Sequence, residues 1–372
     1  MLGASLATVA LAAGVVTGVA SQPTTAVPAR SPLATARSRI AGVRLPGSDT
    51  KLLGQRIMVG MQGTVAARGL LRRVREGDVG AVILFSQNIV SRRQLLALTG
   101  ALQRAAGQGG NPPLLIATDQ EGGQVKRLPQ GPPALSPPQI TATGSIALAS
   151  REGRATGGYL RGLGINVDLA PVVDVPTFSG AFIWQQGRAF SFSPSTVASY
   201  GTAFALGVQS AHAAATAKHF PGIGSAPIDT DNKRERLRPS KAQLRQALTP
   251  YRALIARGVD AIMLSTAGFP AYDATGASAA LSRPIVQGLL RGALGFRGVA
   301  ITDALGTPTG HDERTAGVLA ARAGADILLY TDSAPGTLPA LIAELRRGRI
   351  GRAEADAAYA RIVALKRLVT GH

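Results

Sequence analysis

One stretch of the sequence indicates the fold most clearly, and it reads Ala217-Lys218-His219-Phe220-Pro221-Gly222-Ile223-Gly224-Ser225-Ala226-Pro227-Ile228-Asp229-Thr230-Asp231. It begins as the end of a short apolar run and changes abruptly into the polar pair Lys218-His219. Pro and Gly residues then prevent a helix or a strand from continuing, so the segment forms a loop. A buried strand that ends in polar side chains and a loop is typical of a barrel enzyme. An ordinary surface loop is the alternative reading of this stretch alone.

Short apolar runs alternate with segments of helical periodicity along the rest of the chain. The apolar runs are residues 55–61, 79–85, 114–118, 165–171, 216–220, 261–265, 299–302 and 327–330. The helical segments are residues 91–106, 151–162, 195–213, 241–257 and 282–292, followed by residues 338–347 and 351–369. Strands that read as continuous apolar runs and alternate with helices indicate a parallel sheet buried on both faces.

Eight such strands predict an α/β fold of the single (β/α)8 barrel type. A doubly wound sheet is the alternative, but no Gly-x-Gly-x-x-Gly turn follows an early strand. We expect residues 50–372 to form one barrel domain, because barrels of about 250 residues or more fold as single units.

The composition indicates a globular protein with a large core. Of the 372 residues, 45% are hydrophobic and 16% are charged, which separates the chain from disordered sequences. The chain contains no cysteine, which excludes disulfides, thiol catalysis and cysteine-ligated zinc.

The formal net charge is +19, and only six of the 40 basic residues are Lys. Nucleic-acid binding is one interpretation of such a charge. However, the Arg residues are spread singly along the chain, and no motif combines basic with aromatic residues. We therefore predict no nucleic-acid partner. A diffuse bias that favours Arg over Lys, or attraction to anionic cell-surface polymers, is the better interpretation.

The N-terminal segment predicts export. Residues 4–20 are apolar and uncharged, but too short and too rich in Ala and Gly for a typical membrane span. We interpret residues 1–20 as a signal peptide or an uncleaved membrane anchor, which is the only membrane association predicted. Residues 21–49 are rich in Pro, Ser, Thr and Ala, which is typical of a disordered linker.

Polar residues stand where the predicted strands end. In a parallel barrel these carboxyl ends meet at one face, where barrel enzymes carry their active sites. A single carboxylate there could be a helix cap, but several at successive strand ends indicate a site. The residues in question are Asp119, Gln120, Glu121, Asp174, Lys218, His219, Ser265, Thr266, Asp303 and Asp332.

Six blocks between about residues 50 and 370 resemble glycoside hydrolase family 3, in particular its single-barrel bacterial β-N-acetylhexosaminidases. The blocks are GAVILFSQNI (80–89), DQEGGQVKRL (119–128), GINVDLAPVVDV (164–175), GRAFS (187–191), KHFPG (218–222) and LGFRGVAITDAL (294–305). Their order and spacing match the family, which implies a retaining mechanism with a carboxylate nucleophile and an acid/base.

The resemblance also implies roles for individual residues. Asp303 matches the nucleophile, although an N-cap for the following helix is the alternative interpretation. The positions that match sugar-holding residues are Asp119, Arg127, Arg188, Lys218 and His219. For these, bracing of the loops is the structural alternative. Asp174 resembles a supporting residue at the barrel mouth.

The loop after Lys218-His219 departs from the family. The hexosaminidase branch carries an Asp-Ser/Thr-His triplet, in which the His is the acid/base and the Asp orients it. Here Asp229 and Thr230 match the triplet, but Asp231 stands in place of the His. Ile223 and Thr266 also stand where family members have His.

Asp231 is nevertheless the candidate acid/base, with Asp229 beside it. With an ordinary pKa of about 4 it would be almost wholly ionised at neutral pH and a poor proton donor. Burial, or the like charge of Asp229, would have to raise its pKa towards neutrality.

Three further residues are weaker candidates. Trp184, the only Trp in the sequence, could stack on a sugar face or pack at the rim. His212 and His311 are interpreted as ordinary histidines without a catalytic role.

These observations lead to one main hypothesis and two alternatives. The main hypothesis is an exported retaining β-glycosidase that removes terminal β-linked N-acetylglucosamine or glucose from glycans or cell-wall fragments, without a metal or organic cofactor. The first alternative is a barrel that binds sugar but has weakened catalysis, because the His of the triplet is missing. The second is a Schiff-base enzyme that uses Lys218.

Overall fold

The computed structural model describes residue 40 and residues 42–370. The predicted export segment, residues 1–20, and most of the predicted linker, residues 21–49, lie outside the described residues. The helix Asp49–Gly54 packs on the core through Leu52 and Leu53, which are buried. Ser48 begins this helix by accepting a hydrogen bond from the Lys51 amide at 3.2 Å.

Eight parallel strands form the central sheet, and a bridge between Ile301 and Ile327 closes it into a barrel. In chain order these strands are β1 (Ile57–Val59), β2 (Ala81–Ile83), β3 (Leu115–Thr118), β6 (Val167–Asp168), β7 (Ala214–Phe220), β8 (Ala261–Leu264), β9 (Val299–Thr302) and β10 (Leu328–Leu329). The two remaining strands, β4 (Gln120–Gly122) and β5 (Val125–Lys126), form an antiparallel hairpin directly after β3. This closed order confirms the predicted barrel, and the doubly wound alternative is wrong.

The outer layer is helical. Its α-helices are Asp49–Gly54, Arg68–Glu76, Arg92–Gln108, Pro137–Ala142, Ile146–Arg161, Phe182–Gln185, Pro194–Ser210, Lys241–Ala256, Glu313–Ala323, Thr337–Arg346 and Arg352–Thr370. A π-helix, Pro284–Ala293, stands between β8 and β9. Within residues 42–370, no helix combines the length and apolar character that crossing a membrane requires.

The barrel interior is a packed core, because alternate strand residues point inward and fill it. The interior cluster includes Met58, Ile83, Leu115, Val167, Leu169, Met263, Val299 and Ile301, all 2% exposed or less. Each such Leu or Ile contributes about 1.5–3 kcal/mol through its burial. The C-terminal helix Arg352–Thr370 adds Ile362, Leu365 and Val369 to the same cluster.

The same C-terminal helix carries a fully buried Lys366. Its ammonium donates to the side-chain oxygen of Gln55 at 2.5 Å and to the Gly80 carbonyl at 2.8 Å. Burial lowers the pKa of Lys366 to about 7. This side chain therefore links the helix to the ends of the loops before β1 and β2.

Some elements differ from the prediction. Most strands are shorter than the apolar runs; residues 165–171, for example, contain only the strand Val167–Asp168, whereas β7 begins two residues before its predicted run. The helix Arg68–Glu76 was not predicted, because only Val74 on it is buried and Arg residues interrupt its apolar spacing. The predicted helix 282–292 is observed as a π-helix at Pro284–Ala293. These differences leave the number and the chain order of the barrel strands as predicted.

Candidate active site

Lys218, near the end of β7, lies at the base of the bowl formed by the carboxyl ends of the strands. Its side chain is 3% exposed. The ammonium is 2.8 Å from Asp119 Oδ1, which follows β3, and 2.7 Å from Glu121 Oε1, which lies on β4. Burial disfavours the charge, but the two carboxylates more than compensate and raise the pKa of Lys218. The side chain is therefore a fixed cation.

Glu121 joins this cation to a second one. It accepts two hydrogen bonds from the Arg188 guanidinium, at 2.7 Å and 2.8 Å, in the bidentate geometry typical of strong Arg–carboxylate pairs. Burial opposes its ionisation, yet Arg188 and Lys218 together lower the pKa of Glu121 to about 2. The base of the bowl is thus a charged network with Glu121 at its centre.

His219 is oriented from behind by a buried carboxylate. Asp174 is fully buried, and its Oδ2 lies 2.8 Å from His219 Nδ1. The Asp174 carboxylate also accepts from the backbone amides of His219, at 3.3 Å, and of Ile223, at 2.8 Å. The other ring nitrogen of His219 is therefore directed at the bowl, 4.0 Å from Asp303 Oδ2.

Asp303 directly follows β9, and its side chain is 15% exposed at the bowl surface. It accepts from the Ala304 amide at 2.9 Å. The next helix, Glu313–Ala323, is instead capped by Asp312, which accepts from the Thr315 amide at 3.0 Å. The interpretation of Asp303 as that helix's N-cap is therefore wrong, and its second oxygen faces His219.

Asp229 and Asp231 lie together in the loop after β7. The Asp231 amide donates to Asp229 Oδ1 at 3.0 Å, and Gln186 donates to Asp229 Oδ2 at 3.4 Å. Burial, followed by repulsion from Asp303 and Asp229, raises the pKa of Asp231 to about 7. Asp231 is itself exposed to water, which weakens the effect of burial; the repulsion by the two carboxylates acts in the same upward direction.

Arg127 completes one wall of the bowl. Its guanidinium is 3.4 Å from Asp119 Oδ2 and lies 5.6 Å from the centre of the Phe85 ring, within the range of cation–π attraction. The side chain is one-third exposed, so both contacts leave donors available to a ligand. All five predicted sugar-holding residues therefore line the same bowl.

Two residues of this site were not among the predicted site residues. Glu121 was noted only as a polar residue at a strand end, although two predicted cations, Lys218 and Arg188, required a buried counter-charge. Gln186 connects the two sides of the site, since it accepts from Arg188 at 3.2 Å and donates to Asp229. No feature of the sequence distinguished Gln186.

The weaker candidates lie outside the charged network. Trp184 packs against Phe192 with ring centres 4.4 Å apart and against the core, which favours rim packing over sugar stacking. His212 is exposed just before β7, at the opposite end of that strand from the bowl. His311 is exposed in the loop after β9. Thr266 is buried, and its hydroxyl has no hydrogen-bond partner among the described residues.

The chemistry of the network limits what the site can do. A Schiff base requires a free amine, but the Lys218 ammonium is paired with two carboxylates and its pKa is raised. The pairing of Lys218 therefore argues against a Schiff-base enzyme that uses this residue. Among residue 40 and residues 42–370, no group of three or more His, Asp and Glu side chains is arranged to hold a metal ion.

The chain also matches the model of a known protein family. The model of the glycosyl hydrolase family 3 N-terminal domain matches residues 51–365. The chain belongs to glycosyl hydrolase family 3. This confirms the predicted family and the predicted enzyme class, glycoside hydrolase.

Two curated relatives match this chain over most of their own length. One is described as an uncharacterized secreted glycosyl hydrolase of Arthroderma benhamiae, 34% identical over 350 residues, which cover 88% of this chain and 97% of that protein. Another is a beta-hexosaminidase of Xanthomonas campestris, 34% identical over 310 residues, which cover 80% of this chain and 88% of that protein.

Two solved structures share the fold of this chain. A beta-N-acetylglucosaminidase from Paenibacillus matches with a TM-score of 0.83 and 34% identity, covering 88% of this chain and 63% of that one. A beta-N-acetylhexosaminidase from Beutenbergia cavernae matches with a TM-score of 0.78 and 30% identity, covering 87% of this chain and 99% of that one.

Glu121 provides a test of the network in this family 3 barrel. We expect Glu121→Gln to destabilise the fold by about 3–5 kcal/mol, because it leaves the buried cations Lys218 and Arg188 without their shared counter-charge. Urea unfolding measures this loss. The matched control is Glu354→Gln, which breaks a 2.8 Å pair with Arg283 on the surface and should cost about 1 kcal/mol or less. Equal losses in the two variants would contradict the central role of Glu121.

Proposed function

We propose that the protein is a retaining β-glycosidase that removes terminal β-linked N-acetylglucosamine, or glucose, from glycans. Asp303 is the nucleophile and Asp231 the acid/base in this proposal. The observation that carries it is the pair itself: Asp303 is a partly exposed carboxylate, and burial together with repulsion from Asp303 raises the pKa of Asp231 towards neutrality. A carboxylate and a carboxylic acid at one site are what this reaction needs.

The reaction proceeds in two steps. Asp303 attacks the anomeric carbon while Asp231 donates its proton to the glycosidic oxygen, so that the leaving sugar departs as a neutral alcohol. Asp231, now ionised, then takes a proton from water, and the resulting hydroxide equivalent displaces Asp303 from the sugar. Asp229 positions Asp231 through the 3.0 Å hydrogen bond to its amide.

The charged network holds the sugar during both steps. Asp119 and Arg127 accept from and donate to ring hydroxyls, and Lys218 fixes Asp119 for that role. His219 donates its Nδ1–H to Asp174 and directs Nε2 into the bowl beside Asp303, where Nε2 accepts from a sugar hydroxyl. Buried, pre-oriented groups of this kind contribute strongly to transition-state binding.

Export and cell-wall substrates are part of the same proposal. The apolar N-terminal sequence, and a relative described as secreted, support an extracellular or cell-envelope location. Relatives named beta-hexosaminidase support a terminal N-acetylglucosamine as the sugar. This location and this sugar are both consistent with cell-wall fragments as substrates and with a role in peptidoglycan turnover.

The sugar-binding barrel with weakened catalysis is the second candidate. The substitution that favours it is Asp231 itself, since this carboxylate replaces the His of the family triplet and has an exposed outer face. In that case the charged network would bind sugar while turnover of natural glycosides would be very slow.

A panel of chromogenic β-glycosides distinguishes the candidates. We expect the highest kcat/KM on the nitrophenyl β-N-acetylglucosaminide, measurable activity on the glucoside, and little on the galactoside and xyloside. Inactivity on the whole panel, combined with calorimetric binding of N-acetylglucosamine, would support the sugar-binding barrel. Inactivity without any binding would contradict both.

A further inference from the structure

A cavity of about 220 Å³ lies at the opposite end of the barrel from the bowl. Arg56, which directly precedes β1, and Arg361, on the C-terminal helix, both line it, together with Glu354 and Gln287. The other lining residues are alanines and one glycine, whose small size leaves the space open. Pockets for drug-sized ligands measure about 300–1,000 Å³, so this cavity suits a small ion and not a glycan.

Arg56 is buried without a carboxylate partner of its own. It is 2% exposed, and its Nε and Nη2 donate only to backbone carbonyls, those of Asp326 at 3.3 Å, Ala325 at 2.7 Å and Ala321 at 3.4 Å. Within residues 42–370, its Nη1 makes no hydrogen bond. Burial lowers the pKa of Arg56 to about 10; the Asp326 carboxylate opposes this shift, and the charge of Arg361 adds to it. A buried charge in this position favours a counter-ion.

The carboxylate of Asp326, which attracts Arg56, is already shared by two other arginines. Its Oδ2 accepts from Arg291 at 2.6 Å and from the Ala300 amide at 2.8 Å, and its Oδ1 accepts from Arg361 Nη2 at 2.7 Å. Among residues 42–370, Arg361 Nη1 is likewise without a hydrogen bond. Three guanidiniums therefore share one carboxylate. We call Arg56, Arg291, Arg361 and Asp326 the arginine cluster.

Glu354 does not supply the missing negative charge. Its Oε1 lies 2.8 Å from Arg283 Nη2, so these two side chains neutralise each other. The arginine cluster thus keeps two more positive than negative charges beside an open cavity. A purely structural cluster would hold the C-terminal helix against the barrel, but that role requires only the pairs that Asp326 makes. It leaves the cavity, and the unbonded Nη1 atoms of Arg56 and Arg361, without a purpose.

We propose that this cavity binds one small oxyanion, a phosphate or a carboxylate, between Arg56 and Arg361. The planar fork of a guanidinium matches both kinds of group. The bound anion joins the start of β1 to the C-terminal helix, and because it binds only the folded chain it stabilises the fold. The site is independent of the proposed glycosidase activity, since it lies away from the strand ends that form the bowl.

Titration of the wild-type chain with two simple probes tests the site. The probes are inorganic phosphate and malonate, with the ionic strength held constant by sodium chloride so that general screening of the +19 charge does not change. We expect calorimetry to show one-to-one binding of at least one probe with a Kd of about 0.1–1 mM. At ten times that Kd, the Tm should rise by about 2 °C. The probe that binds more tightly identifies phosphate or carboxylate as the preferred group.

Ala357→Glu places a carboxylate in the cavity without removing any partner of the arginine cluster. Ala357 is half-buried, lines the cavity and precedes Arg361 by one helical turn. This variant should bind the probes at least about 10-fold more weakly, and without anions its Tm should exceed that of the neutral variant Ala357→Gln. The matched control is Ala97→Glu, at an exposed position of the helix Arg92–Gln108, which should bind the probes as the wild type does.

Three results would overturn the proposal. The first is that neither probe binds the wild type above the chloride background. The second is that Ala357→Glu binds the probes as tightly as the wild type does, which would place the anion elsewhere. The third is competition between the probes and N-acetylglucosamine, which would place the anion in the bowl. Cleavage of neutral nitrophenyl glycosides should be the same in Ala357→Glu and the wild type, so the fate of the glycosidase proposal does not affect this test.

Discussion

Replacing Asp303 with Asn is expected to lower kcat by about 10⁴-fold or more on every β-glycoside that the wild type cleaves. The amide is nearly the same size, so the bowl keeps its shape, but it cannot form the glycosyl ester that the two-step reaction requires. Because the loss concerns the nucleophile, a better leaving group should not restore activity. Steady-state assays with nitrophenyl and dinitrophenyl substrates measure both points.

Trapping of the covalent glycosyl intermediate tests directly whether Asp303 is the nucleophile. An activated fluoro-sugar should add one sugar mass to the wild-type peptide that contains Asp303, and nothing to the Asn variant. The control is Asp312→Asn, a neighbouring carboxylate that caps the helix Glu313–Ala323; it should keep activity and remain trappable. Trapping on another carboxylate, or an active Asp303→Asn variant, would remove Asp303 from its proposed role.

The sequence was sufficient to predict the barrel and most of the bowl, for a physical reason. Strands buried on both faces must be apolar throughout, so the first polar residue after each run marks its exposed end. Asp303 after β9 and Lys218 near the end of β7 were found in this way. In a parallel barrel the topology alone brings such ends together, and no knowledge of side-chain packing is needed.

Contacts across the bowl could not be predicted in the same way. Glu121 and Arg188 are 67 residues apart, and their bidentate pairing depends on how the hairpin of β4 and β5 turns back over the barrel. The approach of Arg234 to Gly310 likewise depends on two loops of irregular backbone. Periodicity carries no information about such loops.

The identity of the proton donor can be tested by the pH dependence of the activity, because the pKa of Asp231 is raised. Proton donation requires the protonated form, so with a pKa of about 7 the donor is present at lower pH and lost as the pH rises through 7. We expect kcat/KM on substrates with poor leaving groups to be level on the acidic side and to fall above pH 7. With dinitrophenyl glycosides, which need no protonation, this alkaline decline should be absent.

Variants of the loop test the cause of the shift. Asp229→Asn removes one of the two carboxylates that repel the ionised form, so the alkaline decline should move to lower pH. Asp231→Asn should lower activity on poor leaving groups by roughly 10²–10⁴-fold, lose the alkaline decline, and act on dinitrophenyl glycosides far better than on poor ones. Asp231→His, which restores the Asp-Thr-His triplet of the family, should remain active. A decline that stays in place after both Asn substitutions would assign it to a different group, and Asp231 would then not be the proton donor.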